Sequence, residues 1–150
     1  PIRDFMKNNF RFKFPENWSD HATTDIFSIL PFKCLFEVDT VGENQLIATD
    51  FKITEVDKHY RHMKSGKKKL PGINLAEDIG KCVLAYDFSR ADGKEKHGAI
   101  ETAKLYDVNL IRYRDLYDMS CMDLNHKDLK KLLFDWDGEP EVSKKLQKYI

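Results

Sequence analysis

The clearest alternation of apolar and polar residues in the chain lies at residues 32–54, FKCLFEVDTVGENQLIATDFKIT. Successive side chains of a strand point to opposite faces of a sheet, so this pattern predicts two strands. The residues between them, GENQ at 42–45, are typical turn formers. A two-residue loop in this turn would pair the strands as a hairpin, with Glu37 opposite Asp50.

This pairing would sort the side chains of the hairpin by polarity. One face would carry the apolar side chains Phe36, Val38, Ile47, Phe51 and Ile53. The other would carry the charged side chains Glu37, Asp39, Asp50 and Lys52. Because carboxylates side by side on a sheet repel one another, the charged face needs a counter-ion or a function.

The remaining apolar periodicity predicts alternating helices and strands. In chain order, the predicted elements are an edge strand at 10–14, a helix at 16–30, a short helix at 74–80, a buried strand at 82–88, a helix at 94–106, a strand at 108–113, a helix at 125–136 capped by Asn125, and an amphipathic segment at 142–150. A strand–helix–strand connection favours parallel strands. The order therefore predicts an α/β or α+β fold in which helices flank a small mixed sheet.

Length and composition indicate the class of protein. At 150 residues and 41% apolar content, the chain is long enough for one domain with its own core, over residues 1–150. Its three cysteines form no C-x-x-C pair, which argues against zinc binding and disulfides. The longest apolar run is far shorter than a bilayer span, and the charged amino terminus is unlike a signal peptide. We expect a cytoplasmic protein, or an intracellular one in the host if viral, with no membrane association.

The charged face of the predicted hairpin suits a hard divalent cation. Magnesium and manganese take carboxylate oxygens and complete their shells with water and phosphate oxygens. Asp39 and Asp50 are the candidate metal ligands. Lys52, two residues beyond Asp50, is a candidate to orient the attacking water or to stabilise charge on a phosphate. This interpretation predicts a Mg2+- or Mn2+-dependent phosphodiesterase with Asp39, Asp50 and Lys52 as catalytic residues.

The acid-x-Lys triplet alone is weak support for that site. It occurs at 50–52, 92–94 and 128–130, about as often as chance predicts for this composition. The triplet at 50–52 differs because it sits in an apolar run that follows an acidic one. The alternative is a solvent-facing strand with an ordinary cross-strand salt bridge, such as Glu37 with Lys52.

An acid ahead of a strand-borne acid-x-Lys resembles the PD-(D/E)XK, or restriction-endonuclease-like, nuclease superfamily. The likeness continues through the order helix, strand, alanine-bearing helix and strand, and covers roughly residues 33–116. The resemblance implies hydrolysis of nucleic-acid phosphodiester bonds with magnesium or manganese, and it favours DNA over RNA. A chain this small would need two active sites to cut both strands of a duplex, so we expect a homodimer or higher symmetric assembly if double-strand cleavage occurs.

The chain departs from that family pattern in two places. No proline precedes Asp39, where the sequence reads Glu37-Val38-Asp39, and only ten residues separate Asp39 from Asp50. Glu37 therefore competes with Asp39 for the first ligand position.

A basic run follows at residues 58–69, KHYRHMKSGKKK, although the 25 basic and 25 acidic residues of the whole chain cancel. Four of its lysines are candidate contacts to nucleic-acid phosphates: Lys64, Lys67, Lys68 and Lys69. His59, Tyr60 and His62 are candidates to stack or hydrogen-bond with nucleic acid. A solvated, flexible surface is the competing interpretation of such a run.

Three further readings remain open. Viral cap-snatching RNA endonucleases share the fold and carry a helical histidine as a manganese ligand, a role for which His21 is the candidate here. The resemblance also implies that an acid of the first predicted helix can join the metal shell, with Glu16, Asp20 and Asp25 as the candidates. Alternatively, the chain is a nucleic-acid-binding or protein-interaction module that does not cut.

Overall fold

Helices and strands alternate through the computed structural model, which describes residues 1–15, 26–39, 47–65, 78–91 and 98–150. In chain order the elements are α1 (Ile2–Phe10), β1 (Ile26–Ser28), β2 (Cys34–Val38), β3 (Ile47–Ala48), α2 (Asp50–Lys64), β4 (Gly80–Ala85), β5 (Asp87–Phe88), α3 (Ala99–Tyr106), β6 (Asn109–Arg112), α4 (Tyr113–Ser120), α5 (His126–Leu129), a π-helical turn (Lys130–Phe134), α6 (Val142–Leu146) and a terminal 3-10 turn (Gln147–Tyr149).

The main sheet has four strands in the order β1-β2-β4-β6. β1 is antiparallel to β2, whereas β2, β4 and β6 are parallel. A helix lies in each parallel connection, α2 after β2 and α3 after β4. The predicted fold of a small mixed sheet flanked by helices is confirmed, and so is the parallel pairing of β4 with β6.

Strand alternation divides the core into two layers. Leu35, Val83 and Leu110 face α2 and α3, which also pack against each other. Phe36 and Ile111 face the opposite side, where α1, α4, α5 and α6 cover the sheet. All five side chains are fully buried, and burial of a side chain of this size contributes about 1.5–3 kcal/mol.

The predicted hairpin at residues 32–54 is wrong. β2 pairs with β1 and β4, and the chain from Asp50 to Lys52 forms the first turn of α2 rather than a strand. Ile53, Val56 and Met63 are buried at helical spacing, so the apolar stripe of this segment has the period of a helix. β3 is only two residues long and pairs with β5 in a separate sheet. The predicted turn at 42–45 lies outside the described residues.

The predicted helix at 16–30 is wrong at its carboxyl end, because residues 26–28 form β1. All three residues of β1 are buried, and a short apolar run covered on both faces suits a strand as well as a helix. The edge strand predicted at 10–14 is reduced to one bridge between Lys13 and Leu30. The sequence pattern does not predict helix α1. Residues 16–25 lie outside the described part of the chain.

The carboxyl-terminal predictions fare better. The Asn125 side chain accepts a hydrogen bond from the Asp128 amide at 2.8 Å, and the Asn125 amide donates to the Asp128 carboxylate at 3.1 Å. This capping box confirms the predicted helix start. Within the described residues, none of the helices is long and apolar enough to cross a bilayer.

Candidate metal centre

The three residues first predicted as catalytic lie on two separate elements. Asp39 follows β2, where its amide donates to the Leu84 carbonyl at 2.8 Å and its carbonyl accepts from the Tyr113 hydroxyl at 2.7 Å. Asp50 and Lys52 lie in the first turn of α2. The structure therefore does not bring Asp39, Asp50 and Lys52 together by strand pairing, which was the premise for sharing an ion.

Of the four predicted phosphate-contacting lysines, Lys64 lies in the described part of the chain. Lys64 is the last residue of α2, which places it about 18 Å along the helix from Lys52. Lys67, Lys68 and Lys69 lie outside the described residues. Lys64 is thus at the far end of the helix from the first-turn residues.

A different group of potential ligands does converge, on the α2 side of β2. Glu37, Glu55 and His59 each present one ligand atom, and these atoms lie within 4.8 Å of one another. Glu55 and His59 are four residues apart on α2, so they share a face of the helix. Glu37 follows Leu35 by two residues and points to the same side of the sheet.

This cluster is largely shielded from solvent. Glu37 is 3% exposed and the His59 side chain is 12% exposed. His59 Nδ1 lies 3.0 Å from Glu37 Oε1. Two ligand atoms at neighbouring positions of an octahedral shell, each about 2.1 Å from the metal, lie about 3 Å apart, so this spacing suits Nδ1 and Oε1 as ligands of one ion.

Electrostatics gives the cluster a reason to hold a cation. Two carboxylates this close repel each other, and burial of one of them increases the cost of its charge. A protonated His59 would offset one negative charge, whereas a divalent ion would offset both. Two oxygen donors and one nitrogen donor fit a divalent metal, with remaining positions open to water or substrate.

Two of the residues predicted from the sequence lie close to this cluster along the chain. Lys52 precedes Glu55 by three residues and lies near the same helix face. Asp39 follows Glu37 by two residues at the end of β2. The sequence alone predicts Glu37 as a competing ligand and His59 as a nucleic-acid contact, and it does not predict a role for Glu55. The signal for Glu55 and His59 together is the Glu-x-x-x-His spacing, which can be recognised only when residues 50–64 are taken as a helix.

An open cleft of about 560 Å3 lies at the carboxyl end of β2. The described side chains lining it are Pro1, Ile2, Arg3, Ile26, Val38, Lys52 and Tyr113. Of these side chains, Arg3 and Lys52 are charged, and both are cations. In parallel sheets, ligands bind outside the carboxyl ends of the strands, and this cleft has the charge to attract an anion.

A separate ion-pair network ties the end of β6 to α6. Arg112 Nε lies 2.9 Å from Asp87 Oδ1, and an Arg112 terminal nitrogen lies 2.9 Å from Glu141 Oε1. Arg90 and Lys144 also contact the Glu141 carboxylate, at 2.9 and 3.1 Å. Burial raises the pKa of Glu141, but hydrogen bonds from these cations outweigh burial and leave the pKa lowered. Each charged side chain named in this network has an oppositely charged partner, and the network holds β6 against α6.

Comparisons with known protein families, with curated protein sequences and with solved structures gave no match.

Proposed function

We propose that the protein is a divalent-metal-dependent phosphodiesterase that acts on nucleic acid, with DNA favoured over RNA and with the ion held by Glu37, Glu55 and His59. The observation that carries this proposal is the approach of three ligand atoms within 4.8 Å of one another, from β2 and α2. The cationic cleft at the carboxyl end of β2 supports it, because a phosphodiester is an anion.

Each neighbouring residue has a distinct role in the proposed reaction. Glu37, Glu55 and His59 would hold a divalent ion, which would supply Lewis-acid chemistry to activate water and polarise a phosphoryl oxygen. Lys52, one helical turn before Glu55, offsets charge that develops on the phosphate. Arg3, which lines the same cleft, holds a flanking phosphate. Glu37, whose Oε1 lies 3.0 Å from His59 Nδ1, would place a carboxylate oxygen beside the imidazole in the metal shell.

The donor set also bears on the choice of metal. Carboxylates suit both Mg2+ and Mn2+, whereas imidazole suits transition metals. Because His59 supplies a nitrogen ligand, we infer that Mn2+ binds more tightly than Mg2+. The sequence predicts either Mg2+ or Mn2+, and the nitrogen ligand makes Mn2+ the preferred ion.

A thermal melt with and without Mn2+ tests metal binding. Saturation at about 100 times the dissociation constant should raise the Tm by about 5–10 °C. The variant Glu55→Gln should lose this shift, because it removes one ligand charge while keeping the side-chain volume. Asp118→Asn is the matched control, since Asp118 is an exposed acid on α4 that pairs with Arg114.

A cleavage assay with plasmid DNA and single-stranded RNA tests the reaction. Glu55→Gln should lower Mn2+-dependent cleavage about 100-fold or more, and Asp118→Asn should leave it unchanged. Asp50→Asn separates the two assignments, because a site built on Asp39 and Asp50 requires loss of cleavage in this variant. Retained cleavage by Glu55→Gln protein would refute the metal centre.

A non-catalytic nucleic-acid-binding module is the second candidate. The observation that favours it is the Glu37–His59 contact. A hydrogen bond from His59 stabilises the buried carboxylate, so the fold does not require a metal ion at this position. This candidate predicts that nucleic acid is retarded in gels and that Mn2+ leaves the Tm unchanged. The RNA-endonuclease alternative built on His21 concerns a residue outside the described part of the chain.

A further inference from the structure

Three exposed apolar side chains lie around the small β3–β5 sheet. Ile47, Phe51 and Tyr86 are 49%, 66% and 57% exposed. Ile47 is the ladder partner of Asp87, the residue that follows Tyr86. Phe51 follows Ile47 by four residues, which limits their Cα separation to about 14 Å. We call these three residues the edge patch.

The edge patch adjoins the proposed reaction site. Phe51 immediately precedes Lys52, which lines the cationic cleft, and Glu55 lies four residues after Phe51 on α2. Tyr86 directly follows β4, whose carboxyl end lies between those of β2 and β6, so this ring belongs to the sheet edge that carries the cationic cleft. Single exposed apolar residues are ordinary on protein surfaces, but two rings beside a phosphate-attracting cleft form a pattern with a specific use.

The aromatic side chains of the edge patch can distinguish single-stranded from double-stranded nucleic acid. In a duplex, the faces of the bases are covered by their neighbours, so an aromatic side chain has no base face to stack on. In an unpaired strand, each base can turn out and lie on an aromatic ring. A protein that combines such rings with lysine and arginine contacts binds single strands with little sequence preference.

We propose that Phe51 and Tyr86 stack on unpaired bases while Lys52 and Arg3 hold the adjoining phosphates, so that the preferred substrate is single-stranded nucleic acid. This inference rests on the proposed phosphodiesterase function. It narrows that function to unpaired strands and strand ends, which the metal cluster alone does not specify.

Fluorescence anisotropy with a labelled 12-nucleotide oligo-dT and a 12-base-pair duplex, both in EDTA, tests binding apart from cleavage. Phe51→Ala and Tyr86→Ala should each weaken binding of the single strand about tenfold, and the duplex should be affected less than twofold. Tyr117→Ala is the matched control, because Tyr117 is an aromatic residue on α4 that is 62% exposed. It should leave both affinities unchanged.

Unchanged binding of the single strand in the Phe51→Ala, Tyr86→Ala double variant overturns the inference, and so does equal weakening for both nucleic acids. A change in sedimentation of the variants without a change in affinity also overturns it, since that result marks the patch as a protein-docking surface. A parallel Mn2+ cleavage assay tests the proposed function separately. Cleavage that does not depend on Phe51 and Tyr86 would support the phosphodiesterase function but contradict the role of the rings. Binding that depends on these rings, without any cleavage, would contradict the phosphodiesterase function.

Discussion

At the scale of single residues, the site depends on a buried acid paired with a histidine. Glu37 lies at the centre of the sheet, where an unpaired carboxylate is costly, and His59 lies 3.0 Å away. The sequence could indicate Glu37 as a functional acid, because a charged residue interrupts the otherwise apolar run CLFEV. It could not indicate His59 as its partner, because that contact joins residues 22 positions apart.

Removal of this partner should destabilise the protein. In EDTA, His59→Ala should lower the free energy of unfolding by about 1–3 kcal/mol, because Glu37 loses a buried hydrogen bond. The double variant Glu37→Leu, His59→Ala should recover part of that loss, since the buried charge is then absent. Urea denaturation monitored by circular dichroism measures both. A double variant no more stable than His59→Ala would contradict the burial cost assigned to Glu37.

The three cysteines should differ sharply in reactivity. Cys34 and Cys82 are fully buried, with their sulfurs 3.5 Å apart, whereas Cys121 is exposed. Burial raises the pKa of the Cys34 thiol, and its hydrogen bond with Cys82 raises it further, which disfavours the reactive thiolate. A thiol reagent such as DTNB should label one cysteine in the native protein and three in urea. Rapid labelling of all three in the native state would contradict this packing.

At the scale of elements, sequence periodicity predicted some segments and misassigned others for a physical reason. The run through β4, α3 and β6 was predicted because strand and helix periods are well separated there. Around Asp50, both periods fit: Phe51 and Ile53 alternate like a strand, while Ile53, Val56 and Met63 recur like a helix. Burial of the helical stripe decides between them, and no single-sequence pattern contains that information.

A pair of truncations in α2 tests the helix directly. The predicted hairpin would have buried Phe51 and Ile53 on one face, whereas the structure leaves Phe51 66% exposed and Ile53 fully buried. Ile53→Ala should therefore cost about 2–5 kcal/mol, and Phe51→Ala should change stability by less than about 0.5 kcal/mol. Chemical denaturation of both variants gives the comparison. Equal losses would favour the hairpin.

At the scale of the whole molecule, two regions at the carboxyl edge of the parallel strands are organised differently. The end of β2 carries the cationic cleft, whereas the end of β6 is fastened to α6 through Glu141. The fold class followed from the order of elements in the sequence. The division into a region for the proposed reaction and a fastened region did not, because it depends on contacts such as Arg112 with Glu141 that join distant segments.

The fastened region around Glu141 predicts a specific acid sensitivity. Because the pKa of Glu141 is lowered in the folded protein, its stabilising contribution is present above the unfolded pKa of about 4.3 and is lost as the pH falls through the folded value. Glu141→Gln should be less stable than the wild type at pH 7 and should show a smaller loss between about pH 5 and pH 3. Urea midpoints across this range measure the difference. An unchanged pH profile would contradict the role of Glu141.

Anomalous diffraction from crystals soaked in Mn2+ tests the metal centre most directly, because it locates the ion rather than its effects. We expect one manganese peak within about 2.0–2.4 Å of a Glu37 oxygen, a Glu55 oxygen and a His59 nitrogen, and no peak at this position in Glu55→Gln crystals. A peak between Asp39 and Asp50, or no ordered ion near His59, would contradict the proposed centre.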